Sequence, residues 1–413
     1  MDLFNIFKAK NKDNFNELGT AKIDSYTGYE DERQTALRGQ KKFATYSEMA
    51  EDDATISGIL YIIKSLLVNA GYKIKAFEDK QGVLDSQFID ECFNDMTFTF
   101  SDFMDEILTM LEMGFSYFET VYKMRLKENS KYNDGKIGWR KFAIRPQEKL
   151  YDWNVDEYGG IKGVKQKIGD KEIYLPIEKC LLFRTTTRLN KQEGKSLLRG
   201  SYVSWFYKKN IEKYEAIGIE RDLAGLPMAK IPSSVMNDSS QYSEWKKVVS
   251  NIKNDEQLGI VIPSDTKDGQ PLYQFELLSS SGSKNFDTDK IITRYDSRIA
   301  MSLSADFMLL GQGNTGSWAL STDKTDMFQL SLNAIVKKIE EVINKYAIPR
   351  LFEINGMERK QYPELVFDNI AKKDIKSISE LINNLSSAGM PIFPNPEIEE
   401  QILKMMGFET NVQ

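Results

Sequence analysis

The chain has 413 residues, 41% hydrophobic and 28% charged, with a formal net charge of −6. That length suggests roughly three compact units, and the acidic balance argues against a protein that grips nucleic acid over a broad basic surface, though not against one that surrounds DNA loosely. With no histidine and only two cysteines, Cys92 and Cys180, composition excludes Ser-His-Asp, Cys-His and His-ligated zinc chemistry.

Residues 1–49 are polar and carry no sustained period, so they read as an N-terminal arm. MDLFNIFKAKNKD begins with an acid, and its apolar part is too short for a signal peptide. From Asp52 the pattern turns helical: Ile56, Ile59, Leu60, Ile63 and Leu67 share one face, and Gly71 follows. The apolar run at 56–68 is broken by Lys64 and is too short to span a bilayer, so a soluble chain, intracellular or carried inside a particle, is expected. YKIKAF at 72–77 alternates like a half-exposed strand, and a helix near 85–95 presents Phe88, Ile89, Cys92 and Phe93. Cys92 on that helix and Cys180 in an apolar strand read as buried, reduced thiols.

Residues 100–123 predict an amphipathic helix that stops on Gly114 and turns straight into an aromatic strand. Ser101 is the predicted N-cap, and Phe103, Ile107, Leu108 and Leu111 form the buried stripe. On the strand, Tyr117, Glu119, Val121 and Lys123 share one side, and Phe118, Thr120 and Tyr122 the other. Residues 135–185 predict short strands separated by turn signals, the last being CLLF at 180–183.

A helix of about 30 residues, roughly 45 Å long, is predicted over 195–224, ended by Pro227. The stretch 226–283 reads as a small α/β insert, followed by a helix over 286–310 with Ile292, Tyr295, Ile299, Leu303, Phe307 and Leu310 on one face. GQGNTGSWALSTDK, 311–324, is a loop. The next helix, 325–347, has a coiled-coil-like seam of Phe328, Leu332, Ile335, Ile339, Val342 and Tyr346, and Pro349 is expected to end it. ELVFDN at 364–369 reads as a strand, and two further helices are predicted in 371–413.

Few motifs suggest chemistry. Gly311-Gln312-Gly313-Asn314-Thr315-Gly316 matches G-x-G-x-x-G, but a helix rather than a strand comes before it, and the residues about 20 later lie inside the 325–347 helix. A mobile loop is the better reading, with a nucleotide-binding enzyme as the remote alternative. No P-loop is present. The acidic runs Glu51-Asp52-Asp53 and Asp102/Asp105/Glu106 fall in first helical turns, where acids complement the helix dipole, so no metal or other cofactor is expected. Lys208 and Lys209 beside Trp205, Phe206 and Tyr207 fit a helix with an apolar contact face and a solvated basic face better than a base-stacking surface.

Taken together, ATISGILYIIKSLLVNAGYKIKAF, FSDFMDEILTMLEMGFSYFETVYK, LPIEKCLLFRT and GKSLLRGSYVSWFYKKNIEKYEAIGIERDLAGLPMAKIP resemble the portal (head–tail connector) proteins of tailed bacteriophages. The resemblance runs from about residue 50 to about 370. It implies an α+β portal-type fold: an α/β wing begun by 50–194, stem helices at 195–225 and 286–310, and a small α/β clip at 226–285. A tunnel loop at 311–324, a spine helix and second wing part at 325–370, and a short helical crown at 371–413 complete it.

The family implies a ring, usually of twelve copies, at the capsid vertex, reached from the host cytoplasm during assembly. Double-stranded DNA would thread it non-specifically, terminase and then head-completion or adaptor proteins would dock on it, and the major capsid protein would surround it. Neither an enzymatic activity nor a membrane partner is implied. Gln312, Asn314, Thr315, Ser317 and Trp318 would face DNA with uncharged polar groups, which add none of the counterion-release affinity of Lys/Arg–phosphate pairs. Tyr202, Trp205, Phe206, Phe328, Ile335 and Ile339 would meet neighbouring subunits. A tail or baseplate structural protein is the alternative within the virion.

Overall fold

The computed structural model describes residues 32–77, 79–156, 160–187, 191–224, 226–251, 260–263, 274–278, 287–306 and 318–370. The helices and strands, in chain order, are α1 (Lys41–Asp52), α2 (Ala54–Val68), β1 (Tyr72–Lys75), α3 (Lys80–Asn94), α4 (Phe100–Ile107), α5 (Thr109–Met113), β2 (Phe115–Met124), β3 (Ile137–Arg145), β4 (Leu150–Val155), β5 (Ile161–Ile168), β6 (Lys171–Pro176) and β7 (Cys180–Arg184). Then come α6 (Tyr202–Ala224), β8 (Leu226–Ile231), α7 (Ser233–Met236), α8 (Ser239–Asn251), β9 (Ile260–Pro263), β10 (Gln274–Leu278) and α9 (Thr288–Ser302), and finally α10 (Trp318–Val342), α11 (Ile348–Ile354) and β11 (Glu364–Phe367). The chain divides into two units rather than three: residues 1–199 with 307–413, and residues 200–306.

The first unit is built around β2. Its antiparallel neighbours are β3 on one side and β7 on the other. Because alternate side chains leave a strand on opposite faces, β2 serves two cores. Phe118 packs on Phe103 and Phe183, with Phe103 stacked on Phe142 at 4.4 Å. Across the strand, Phe115 and Tyr117 pack with Phe43, Leu150, Val164, Leu175 and Cys180. These last residues tie in the second sheet, β4-β5-β6. β1 and β11 pair antiparallel, joining sequence positions 72–75 to 364–367.

Phe43 comes from α1, whose Phe43, Tyr46, Met49 and Ala50 are all buried. The expected arm over 1–49 is therefore structured from residue 32 onward. Its two lysines in the first turn hid a helix whose apolar face packs against Phe115 at 6.1 Å. Asp53 then caps α2, its carboxylate accepting from the Ile56 N–H at 2.9 Å. The cap of α4 is Thr99, not Ser101. Thr99 Oγ1 accepts from the Asp102 N–H, and the Asp102 carboxylate accepts from the Thr99 N–H, a reciprocal capping box.

At the C-terminus of α3, Asp95 holds the β2–β3 connection. Its carboxylate accepts from the Lys131 N–H (2.9 Å) and the Ser130 hydroxyl (2.7 Å), and pairs with Lys123 (2.9 Å). Burial pushes this carboxyl up, but the hydrogen bonds from Lys131, Ser130 and Lys123 outweigh it and hold the group below the usual carboxylate range. Its contribution to stability is thus complete above about pH 4 and is lost as pH falls through the lowered native value. Asp95→Asn should flatten the loss of stability between about pH 4 and pH 3, read by urea unfolding at each pH. Equal slopes for variant and wild type would refute this.

Helix α10 begins at Trp318, seven positions earlier than the expected 325. Its far end also departs from expectation, since the helix does not stop at Pro349. A π-helical turn, Ile343–Ala347, follows α10, the Ile348 N–H donates to the Ile343 carbonyl, and Pro349 enters the first turn of α11. Proline lacks an N–H and collides with the carbonyl four residues back, so an interior proline normally breaks a helix. The wider π turn removes that conflict, and burial of Ile348, Leu351 and Phe352 draws the chain onward. The buried seam shifts accordingly. Phe328, Leu332, Val336, Ile339 and Ile343 are buried, whereas Ile335 and Val342 are half-buried and Tyr346 is exposed. Asn344 and Asn355 then stitch this segment back, bonding the backbone of Leu365 and Ile137.

The second unit holds a three-stranded sheet in the order β10-β8-β9, with β8 and β9 parallel and joined through α8. Ala229, Ile231, Val235 and Val249 form its core. α6 and α9 of the same unit lie against one another. Both helices are shorter than predicted. Residues 197–200 form a 3-10 turn before α6, and α9 ends at Ser302 ahead of Ser304, whose φ of 58° is left-handed.

Candidate functional site: the paired helices of the second unit

α6 and α9 meet through specific side-chain contacts. Ser201 and Ser302 share a hydroxyl hydrogen bond of 2.5 Å. Lys208, 5% exposed, reaches across to Asp296 at 2.7 Å, with Glu212 at 3.9 Å. Tyr207 stacks on Tyr295 with ring centres 6.3 Å apart, and the Thr288 hydroxyl bonds Glu215. Lys208 is therefore a locking residue between the two helices and no part of a solvated basic face, as its place beside Lys209 had suggested. Lys209 lies over the Trp205 ring at 5.2 Å.

A buried ammonium is costly unless paired. Asp296→Ala should lower stability by about 2 kcal/mol, less than the full penalty of a broken buried pair because Glu212 stays in reach. Urea unfolding followed by circular dichroism measures it, and a loss below about 0.5 kcal/mol would mean that the pair is effectively solvated.

Several apolar residues of α6 remain exposed. Val203 (44%), Phe206 (45%), Tyr207 (51%) and Tyr214 (70%) are exposed, and so is Met301 (65%) on α9. Exposed apolar residues gathered on one helix pair mark a contact surface more than isolated ones do. Of the residues expected at subunit contacts, Phe206 is exposed and Ile335 is half-buried. Tyr202 and Trp205 are buried, as are Phe328 and Ile339, so these four already spend most of their surface inside the chain. The seam spacing could not tell a helix face that serves its own core from one that serves a neighbour.

Of the residues expected to face DNA, Gln312, Asn314, Thr315 and Ser317 lie outside the described residues, as does the whole Gly311–Gly316 match. Trp318 opens α10, and its side chain lies outside them too. The predicted helices of 371–413 also fall outside. Among the described residues no group of three or more Cys, Asp or Glu side chains is placed to hold a metal ion, and no helix is long and apolar enough to cross a membrane.

Cys92 and Cys180 are buried and free. Burial pushes the Cys92 thiol up to about 12 and the Cys180 thiol up to about 11, so neither carries appreciable thiolate at neutral pH.

Two kinds of likeness accompany this geometry. The family model for the portal protein of Mu bacteriophage matches residues 43–405. Among solved structures, a chain of the virion of a native gene transfer agent particle aligns at a TM-score of 0.55 and 10% identity, covering 90% of this chain and 94% of that one. A chain from the neck of the native particle, computed with C12 symmetry, aligns at 0.56 and 10% identity, covering 90% and 95%. At such identities the likeness is one of fold, with helices and strands mixed in the same arrangement.

Proposed function

The chain belongs to the family of the portal protein of Mu bacteriophage, and from that membership we propose that its copies close head-to-tail into a ring at one capsid vertex, through which double-stranded DNA enters and leaves. The observation that carries the ring is the set of apolar residues that α6 leaves exposed, Val203, Phe206 and Tyr214, with the half-exposed Tyr207 beside them. Repeated head-to-tail contacts that close produce rings, and twelve copies fits the C12 symmetry of the gene transfer agent neck.

In this reading residues 50–194 begin the wing, α6 and α9 are the stem, and 226–285 is the clip, which meets terminase first and adaptor proteins later. The major capsid protein lies around the wing. The segment 311–317 faces the duplex, α10 is the spine, and 371–413 is the crown. The subunit is structural, not enzymatic: without histidine it lacks the commonest general acid–base.

Negative-stain images of the purified chain test the ring. Annular particles with a central hole are expected, and uniform monomers at high concentration would overturn it. A deletion within 312–317 should spare ring formation and impair DNA retention in assembled particles. Loss of the rings in that deletion would remove the segment from its proposed role.

A further inference from the structure

Within the first unit, a cleft of about 700 Å³ opens between β7 and the α10–π turn–α11 segment. Its lining carries the cations Arg184, Lys191, Lys338, Lys345 and Arg350 but only one carboxylate, Glu341. In a chain with a net charge of −6, this lining runs against the overall balance. Three of these cations are held by neutral acceptors. Arg350 donates to the Cys180 and Ile177 carbonyls (2.6 and 3.0 Å), Lys338 to the Thr185 carbonyl (2.8 Å), and Arg184 to the Lys191 and Gln192 carbonyls (3.4 Å each). Carbonyl bonds fix the side chains in place and leave their charge uncancelled. Burial pushes the Arg184 guanidinium down, the direction expected of a cation short of anionic company. Lys345 and Arg350 both lie against the exposed Tyr346 ring, 5.4 and 5.3 Å from its centre.

We propose that this cleft is an acceptor for an acidic surface of the neighbouring copy of the chain, an inference that rests on the ring reading. In a ring each copy must present two different, mutually complementary surfaces, and this chain has both signs to offer: a basic cleft, and an excess of acid elsewhere. Leu182, Val342 and Tyr346 give it a partly apolar lining suited to protein rather than to a phosphate backbone. Complementary charges of this kind orient subunits and select register more than they add affinity.

The test uses full-length chain, half of it labelled with 15N, mixed before assembly and treated with a carbodiimide that joins lysine to carboxylate. Cross-linked peptides that pair Lys338 or Lys345 of one isotope with an Asp or Glu of the other are expected. Lys345→Glu should reduce the ring fraction at least tenfold at low salt, and Lys345→Arg should restore it. Lys345 is exposed, so the variant should fold, which circular dichroism verifies. Three results would overturn the proposal. Rings that form normally in Lys345→Glu with only same-isotope cross-links would remove it and leave the ring intact. Monomeric wild type would remove both. Tight, Lys345-dependent binding of a 20-base-pair duplex, read by fluorescence anisotropy, would reassign the cleft to nucleic acid.

Discussion

Gly114→Ala should lower the stability of the chain by about 4–5 kcal/mol and its melting temperature by roughly 10 °C or more. Two causes add at this position. Gly114 ends α5 in the left-handed region, with φ at 91°, and its N–H closes the helix on the Met110 carbonyl at 2.7 Å. A side chain there costs on the order of 1–2 kcal/mol from backbone strain alone. A Cβ would also overlap the Gly194 carbonyl oxygen and stand 3.1 Å from the Ser196 nitrogen. The obstacle is backbone, which cannot swing aside as a flexible side chain can.

Gly194→Ala separates the two causes. Its φ is not left-handed, yet its Cβ would overlap the Gly114 carbonyl oxygen and lie 2.9 Å from the Thr185 nitrogen. Thr185 binds this junction from the side, donating its N–H (3.1 Å) and hydroxyl (3.0 Å) to the Gly114 carbonyl. A loss of about 3 kcal/mol is expected for Gly194→Ala, smaller than for Gly114→Ala by the strain term. Thermal and urea unfolding followed by circular dichroism measures both. Melting within 2 °C of wild type for either variant would show that the two backbones separate easily.

Arg125→Ala should cost about 3–5 kcal/mol. Arg125 is among the most enclosed charges described, at 1% exposure. Its guanidinium pairs with Glu91 at 2.6 Å and Asp134 at 3.4 Å, donates to the Cys92 sulfur at 3.7 Å, and lies over the rings of Tyr132 (4.1 Å) and Phe88 (5.2 Å). Truncation removes a packed stem together with the countercharge of two carboxylates. Arg125→Met keeps most of the stem and should cost less, about 1–3 kcal/mol, because the partners Glu91 and Asp134 retain access to water. Equal losses for Ala and Met would assign the whole effect to charge and none to packing.

Much of the fold was readable from side-chain periodicity. The two-faced strand β2 followed from Tyr117 and Phe118 falling on opposite sides, and each joins a different core. The helix presenting Phe88, Ile89, Cys92 and Phe93 buries all four. β1 and the strand near 364 were visible singly, but their pairing depends on contacts nearly 300 residues apart, which no local pattern encodes. α1 was missed because Lys41 and Lys42 lead a polar sequence whose only apolar stripe is Phe43, Tyr46, Met49 and Ala50. Pro349 misled for a specific reason. The rule that proline ends a helix assumes four-residue hydrogen bonding, and here the preceding turn is five-residue.

The site was less legible. Lys208 reads as surface charge because its pairing partner, Asp296, lies 88 positions later on another helix. The basic cleft is assembled from residues 184–191 and 338–350, segments about 150 positions apart whose meeting no local pattern encodes. Exposure of Phe206 against burial of Tyr202 and Trp205 depends on how α6 is rotated, which a spacing of three and four leaves undetermined.

The chain leaves for the second unit at Gly200 and comes back at Asp306, and the hydroxyls of Ser201 and Ser302 touch. Departure and return are therefore adjacent, so everything between them hangs from a single doorway. An insert tethered this way can lengthen, shrink or be swapped for a relative's without re-threading the framework that carries it.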